Sequence, residues 1–272
     1  MAKKFSAKII VAIVLAVMLA LFFCAINHTD DSAMATYNYQ DTEFYINSQS
    51  DFDNFALAFS NSGQYFNGKT IYLNCNVDMG EYGSLFQSFN GTFYGNGYAI
   101  NNARNAIFGN EIGSAGKVYD LVLNNVNITS SRASVAITNK GELKNIVVTG
   151  QIKNNTIGGL VYDNLGSILD SYICANLDVS AVIDSQGVGG IAYNNYGNIK
   201  ESHFLGNIIA NNTIKALGGL VAHNKVLESD YAKLENCTVS GEIHITSTGN
   251  EEYDSVLPKN CGTLVGNNLA NL

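Results

Sequence analysis

Several stretches in the second half of the chain can be set one above another so that like side chains fall in like columns. GGLVYDNLGSILDSYICANLDV (158–179) stands over GGIAYNNYGNIKESHFLGNII (189–209), then GGLVAHN (218–224) and, after an insertion, LENCTVSGEIHI (234–245). A looser copy, VAITNKGELKNIVVTGQI (135–152), precedes them, and GTLVGNN (262–268) follows. Gly159, Gly190 and Gly219 recur about thirty residues apart. One column is always aliphatic: Leu160, Ile191, Leu220, Leu264. Others read Leu143, Ile168, Ile199, Leu234, then Val148, Ile173, Phe204, Val239, then Ile152, Leu177, Ile208, Ile243. Small residues hold another (Ser171, Ser202, Cys237), glycine or alanine another (Gly150, Ala175, Gly206, Gly241), and asparagine recurs at 139, 164, 195, 224 and 268. Between them residues vary freely, as at Val147, Tyr172, His203 and Thr238.

Fixed apolar positions alternating with free ones over short runs are the pattern of strands with one face in and one face out. No copy can enclose a core by itself. Stacked copies can, because each strand's N–H and C=O groups pair with the copies above and below, about 4.8 Å away. The expected fold is all-β: a right-handed parallel β-helix. A β-sandwich is the second choice, since its strands need not agree column by column.

Composition supports short strands joined by turns. The chain has one proline, no tryptophan and 26 glycines, with asparagine abundant. Ahead of the repeats, SQSDFDNFALAFSNSG (48–63) spaces Phe52, Phe55, Ala56 and Phe59 as one helix face, and Ser50 followed by Asp53 spells a capping box. A short helix ending near Gly63 is expected to cover the first rung. TIYLNCNVDM (70–79), FNGTFYGNGYAI (89–100) and KVYDLVLNNVNIT (117–129) read as strands and turns, the last through Val118, Leu121, Leu123, Val126 and Ile128. The organisation expected is a capping module over 36–116 and repeats over 117–272.

GQYFNGKT (63–70) spells a P-loop, but a helical pattern precedes it and a strand follows it. Phosphate binding requires the reverse order, strand then helix, so the stretch reads as a helix-to-strand turn.

Residues 1–35 combine Lys3, Lys4 and Lys8, an apolar run over 9–26, and Ala33-Met34-Ala35, the pattern of a signal peptide, or of an uncleaved membrane anchor. Fifteen basic against 23 acidic side chains leave a net charge of −8, a poor composition for binding nucleic acid or anionic lipid. Contact with a membrane is expected only through 9–26. Cys75, Cys174, Cys237 and Cys261 form no C-x-x-C pair, so no metal knuckle is indicated. Cys174 and Cys237 lie two rungs apart in different columns, too far to bridge, while a Cys237–Cys261 pair stays conceivable.

GGLVYDNLGSILDSYI, GGIAYNNYGNIKESHF and GTLVGNN resemble the GLUG repeat of secreted and surface-attached microbial proteins, some of which lie beside immunoglobulin-cleaving metalloprotease domains. The stretch 44–51, FDNFALAF, TIYLNCNVDM and FNGTFYGNGYAINN resemble the module that precedes such repeats, so the likeness spans nearly all of 44–268. It implies a β-solenoid in a cell-surface or extracellular setting, and no assigned chemistry. The chain departs from the motif at Tyr162, Tyr193 and Ala222, where the repeat has the glycine kept at Gly266, and at Tyr94, where the leading module has aspartate. No H-E-x-x-H is present, and His203, His223 and His244 are isolated. The fragment closing at Asn268 suggests a truncated frame, or a last rung that packs on a partner.

Candidate chemistry is thin. The column Asn145, Asp170, Glu201, Asn236 places two carboxylates on adjacent rungs, which could suit a paired-carboxylate mechanism or a calcium ion; the preferred reading is a strand corner that accepts Asn, Asp and Glu alike. Asp163, Asp178 and Asp184 read as solvated turn residues and His203 as an exposed one, with no Ser-His-Asp set at a nearby spacing. The tyrosines Tyr37, Tyr39, Tyr45, Tyr65, Tyr72, Tyr82, Tyr94, Tyr98, Tyr162 and Tyr193 suit carbohydrate or protein contact, although Tyr162 over Tyr193 can be ring stacking between rungs. The function expected is therefore an exported, non-catalytic, adhesin-like or structural module, with no cofactor, no metal and no catalytic residue. It would bind a host or cell-surface protein or glycan. The alternatives are a polysaccharide-acting β-helix enzyme using Asp170 and Glu201, and a plain stalk.

Overall fold

Alternation of inward and outward side chains is interrupted in the long strand Lys117–Ile128, where the buried positions step 118, 121, 123, 126, 128. The two three-residue steps contain Asp120 and Asn125, at φ +53° and +54°. A left-handed residue turns the chain through a corner, and the alternation resumes in a new phase. This strand therefore bends around a coil. The same device recurs at Asn145, Asp170, Glu201 and Asn236, at φ between +50° and +54°.

The computed structural model describes residues 37–60, 62–227, 230–248 and 261–268. They form an all-β parallel solenoid of about 7 turns with one short helix. The backbone of the coil is a parallel sheet whose strands follow one another rung by rung: Glu43–Ile46, Thr70–Leu73, Thr92–Tyr94, Lys117–Ile128, Glu142–Lys153, Ser167–Leu169, Asn198–Lys200 and Lys233–Glu235. A second parallel sheet runs from Ser88–Phe89 through Ala136–Asn139, Val161–Asn164, Ala192–Asn195 and Val221–Asn224 to Val265–Asn268. A third joins Thr156–Gly158, Gly187–Gly189, Leu217–Gly218 and Cys261–Gly262. The stretch 9–26 lies outside the described residues, and among those described no helix is long and apolar enough to cross a membrane.

The sequence columns are the inter-rung register. Leu143 pairs with Ile168, Ile168 with Ile199, and Ile199 with Leu234. Val148, Ile173, Phe204 and Val239 follow in line, as do Ile152, Leu177, Ile208 and Ile243. Leu160 donates its N–H to Ile191, Ile191 to Leu220, and Leu220 to Leu264. Gly190 shows why glycine holds its column: a Cβ there would stand 2.0 Å from the Gly219 carbonyl oxygen and 2.5 Å from the Phe204 ring. Burying the Phe204 ring requires a rung without a side chain beside it.

Two polar files run inside this apolar coil. Asn139 donates through Nδ2 to Oδ1 of Asn164 (2.9 Å), Asn164 to Asn195 (2.8 Å), Asn195 to Asn224 (2.9 Å) and Asn224 to Asn268 (3.3 Å). Ser171 and Ser202 each hydrogen-bond a carbonyl two residues back, and their hydroxyls accept from Ile146 N–H and Ser171 N–H. Cys237 occupies the next serine site and donates to Glu235 O at 3.3 Å.

The helix, α1, spans Gln49–Phe59 and buries Phe52, Phe55, Ala56 and Phe59. Its cap is Ser48, two residues before the expected Ser50. The Ser48 hydroxyl accepts Asp51 N–H (3.1 Å), while the Asp51 carboxylate accepts Asn47 N–H (2.9 Å). The capping pair sits two residues earlier than expected because the strand Glu43–Ile46 ends there and the chain must turn at once. Phe44, Phe55, Phe59, Phe66 and Phe86 fill this end of the core.

Replacing Asn164, which is fully buried, by alanine breaks the ladder: it strands Asn195 Oδ1 and leaves Asn139 Nδ2 only its longer bond to Ser167 O (3.3 Å). The variant is expected to lose about 2–4 kcal/mol of unfolding free energy in a urea titration, while Asn154→Ala, at the rim, loses under about 1.5 kcal/mol.

Candidate functional site

Three groups of side chains carry polar or aromatic chemistry: the carboxylate column, the histidines, and the outward tyrosines. Asp170 and Glu201 do stand on adjacent rungs, since Leu169 and Lys200 are in register beside them. Their neighbours complete a corner file: Asn145 donates to Asp120 (2.7 Å), Asn236 donates to Glu201 (2.8 Å), and Lys144 lies 3.9 Å from Asp170. The shared property of the file is positive φ, which asparagine and aspartate adopt at low cost and glutamate does not. Among the described residues no group of three or more His, Cys, Asp or Glu side chains is placed to hold a metal ion.

His203 is not fully exposed, as expected from sequence, but half-buried: its ring lies 5.0 Å from that of Tyr172, and Nδ1 is 2.8 Å from Thr238 Oγ1. Burial lowers its pKa, against the opposing pull of Glu201 and Asp170. His223 packs edge-on to Tyr193 at 5.1 Å, and His244 sits 3.0 Å from Glu242. Asp178 departs from the expected solvated turn residue: it is buried, bonded by the Ser180 hydroxyl (2.6 Å) and by Lys153 (3.0 Å). Its burial favours the protonated acid, yet those partners outweigh it and hold the pKa below the usual carboxylate range. Asp163 accepts from Asn194 at 2.7 Å, and Asp184 takes a left-handed corner at φ +58°. Among the described residues no disulfide forms, and burial pushes the Cys174 and Cys237 thiols up. Lys69, the lysine of the P-loop spelling, donates to Asp41 O (2.7 Å) and lies over the Tyr39 ring, with α1 before it and a strand after it.

The tyrosines divide into two roles. Tyr37 and Tyr39 pack edge-on to Phe55 and Phe66 at the capped end, and Tyr193, stacked on Tyr162 at 4.7 Å and 21°, is buried. These serve packing. Tyr45, Tyr72 and Tyr94 instead form one outward file on the long sheet, joined by Tyr119, which had no expectation attached to it. The rings are stacked at 5.0 Å and 5.4 Å, each at 10°, and the last pair is tilted at 5.6 Å and 49°. Register then carries the file from Tyr119 to Lys144, Leu169, Lys200 and Glu235. Beside it runs a second outward file, Glu43, Thr70, Thr92, Lys117, Glu142.

Stacking along the coil axis hides ring faces and leaves edges and hydroxyls outward. Tyr45 is 47 % exposed, and its hydroxyl donates to Glu43 at 2.6 Å. Tyr119 donates to Glu142 at 2.8 Å; burial and that acceptor push its pKa up to about 12, so it stays a donor at neutral pH. The result is a continuous aromatic strip on the order of 15 Å long, four rungs at the strand spacing, edged by Lys117 and Lys144. The sequence does carry its signature: E-F-Y, T-I-Y, T-F-Y and K-V-Y at 43–45, 70–72, 92–94 and 117–119 each place tyrosine after one inward residue. The tripeptides start 27, 22 and 25 residues apart and share little but the tyrosine itself, which conceals the alignment.

Compared with known proteins, the chain matches no family model, no curated protein and no solved structure.

If the carboxylate column is a corner ladder, Glu201→Asn relieves both the left-handed glutamate and its like charge beside Asp170. That variant is expected to gain about 0.5–1 kcal/mol in urea unfolding; a loss of stability would contradict the reading.

Proposed function

We propose that this chain is an exported, non-catalytic surface module of the GLUG-repeat kind, which binds a host or neighbouring-cell protein or glycan through the tyrosine flank of its long sheet. The observation that carries the reading is the contiguity of Tyr45, Tyr72, Tyr94 and Tyr119 in one outward file. A parallel sheet locks these side chains on rigid strands, so a partner meets pre-ordered rings and loses little side-chain entropy at the contact. Tyrosine offers such a surface an apolar edge and a hydroxyl together. Lys117, Lys144 and Lys200 add exposed cations on the same flank of an otherwise acidic chain, which favours ligands bearing carboxylate or sulfate groups. The repeat resemblance and the apolar leader support an extracellular setting.

The test is a panel of glycans and matrix proteins. Binding is expected to fall at least about tenfold in Tyr72→Ala/Tyr94→Ala, which removes about 1–3 kcal/mol of aromatic contact. Tyr162→Ala, on another face, should bind as the unaltered protein does. Absence of binding across the panel would leave the stalk reading.

A second reading, an enzyme acting on polysaccharide, rests on Asp170 and Glu201 standing one rung apart. It requires release of reducing ends or unsaturated products from acidic or neutral glycans, lost in Asp170→Asn. The surface-module reading expects no such release from either protein.

A further inference from the structure

The two ends of the coil differ. At the first rung Phe44 and Ile46 are 1 % and 0 % exposed, because α1 lies over them. At the last described rung Ile243, Ile245 and Leu264 are 36 %, 43 % and 46 % exposed, although each continues a file that is fully or almost fully buried one turn earlier, at Ile208, Ala210 and Leu220. Strand Lys233–Glu235 pairs with Asn198–Lys200, and Ile243–Thr246 pairs with Ile208–Asn211. Among the described residues nothing pairs with the far edge of either strand. An open row of N–H and C=O groups beside a wet aliphatic file is a template for one more rung.

The charges on that edge say which rung fits. Lys233 and Glu235 are exposed and flank the inward Leu234 on one short strand. Two such strands meeting antiparallel and centred on Leu234 place each Lys233 opposite Glu235 of the second copy, so that two ion pairs form across one two-fold axis. A head-to-tail stack is barred, since the other end is covered by α1 and offers no open file. The geometry points to an isologous contact: we propose that two copies of this chain join end to end through the last described rung, strand Lys233–Glu235 against its own counterpart. Ile243, Ile245 and Leu264 are then covered by the second copy's rung. The two capping helices face outward at the ends of a doubled coil, which carries two tyrosine flanks and gains avidity for any repetitive surface.

The test is the mass of the full-length chain in solution, by analytical ultracentrifugation with bound detergent subtracted, over a range of protein concentrations. Twice the 29.2 kDa chain mass is expected for the unaltered protein. Lys233→Glu alone and Glu235→Lys alone each set like charges opposite one another and are expected to weaken the dimer at least about tenfold. The double swap Lys233→Glu/Glu235→Lys restores the opposite pairs and should restore the dimer. Both side chains are exposed, so circular dichroism should show the fold unchanged in all three variants. A single-chain mass at every concentration would overturn the proposal, as would single variants that dimerise as well as the unaltered protein or a double swap that fails to recover.

Discussion

The structure depends on one constraint: each strand must hydrogen-bond to the strand one turn before and one turn after it, in register. A parallel pair separated by a full coil of chain leaves no freedom for a one-residue slip, because a slip would exchange every inward side chain for an outward one. From that constraint the aliphatic files follow, as do the internal asparagine and serine ladders, since equivalent atoms then repeat at the rung spacing and can bond to one another. Asn139, Asn164 and Asn195 are fully buried, yet each amide finds its partner in the next rung. A buried amide with no neighbour of its own kind would have no such partner, so these ladders penalise a wrong register more steeply than leucine files do.

Corners are the second requirement, and they explain why a carboxylate column need not be a reaction centre. A flat strand cannot close a coil. Left-handed residues at Asp120, Asn145, Asp170, Glu201 and Asn236 turn the chain at the same place in successive rungs. Side chains there are drawn into one file by geometry alone, and bond along it. The outward tyrosines are aligned by the same mechanism, but nothing about turning the chain requires an aromatic ring at those four positions. Where a file has no structural demand on its chemistry, its composition is the better guide to what the molecule touches.

Much of the coil was legible in the sequence because stacking makes residues repeat: the columns at Leu143, Val148, Ile152 and Leu160 are register partners in the fold. The apolar positions 118, 121, 123, 126 and 128 were read as plain alternation; the corners at Asp120 and Asn125 emerge only from their positive φ. The tyrosine flank was less legible. Three of its four members stood among ten candidate tyrosines, and Tyr119 stood among none, because the early tripeptides repeat little but the tyrosine itself. The helix cap was displaced by two residues, since Ser48 and Ser50 are both followed three positions later by aspartate and only the end of the preceding strand decides between them. Asp178 looked solvated because its partner Lys153 belongs to the previous rung.

The central claim, stacking in register, can be tested by oxidation of paired cysteines. Tyr72 and Tyr94 are register partners on adjacent strands, with Cα atoms expected about 4.8 Å apart, inside the range a disulfide spans. Tyr72 and Lys117 are two rungs and two residues apart, at roughly 12 Å, outside it. Peptide mass spectrometry after mild oxidation should find the Tyr72→Cys/Tyr94→Cys bridge formed nearly to completion and the Tyr72→Cys/Lys117→Cys bridge absent. Equal yields in the two proteins, or a bridge only in the second, would contradict the register on which the coil and its tyrosine flank both stand.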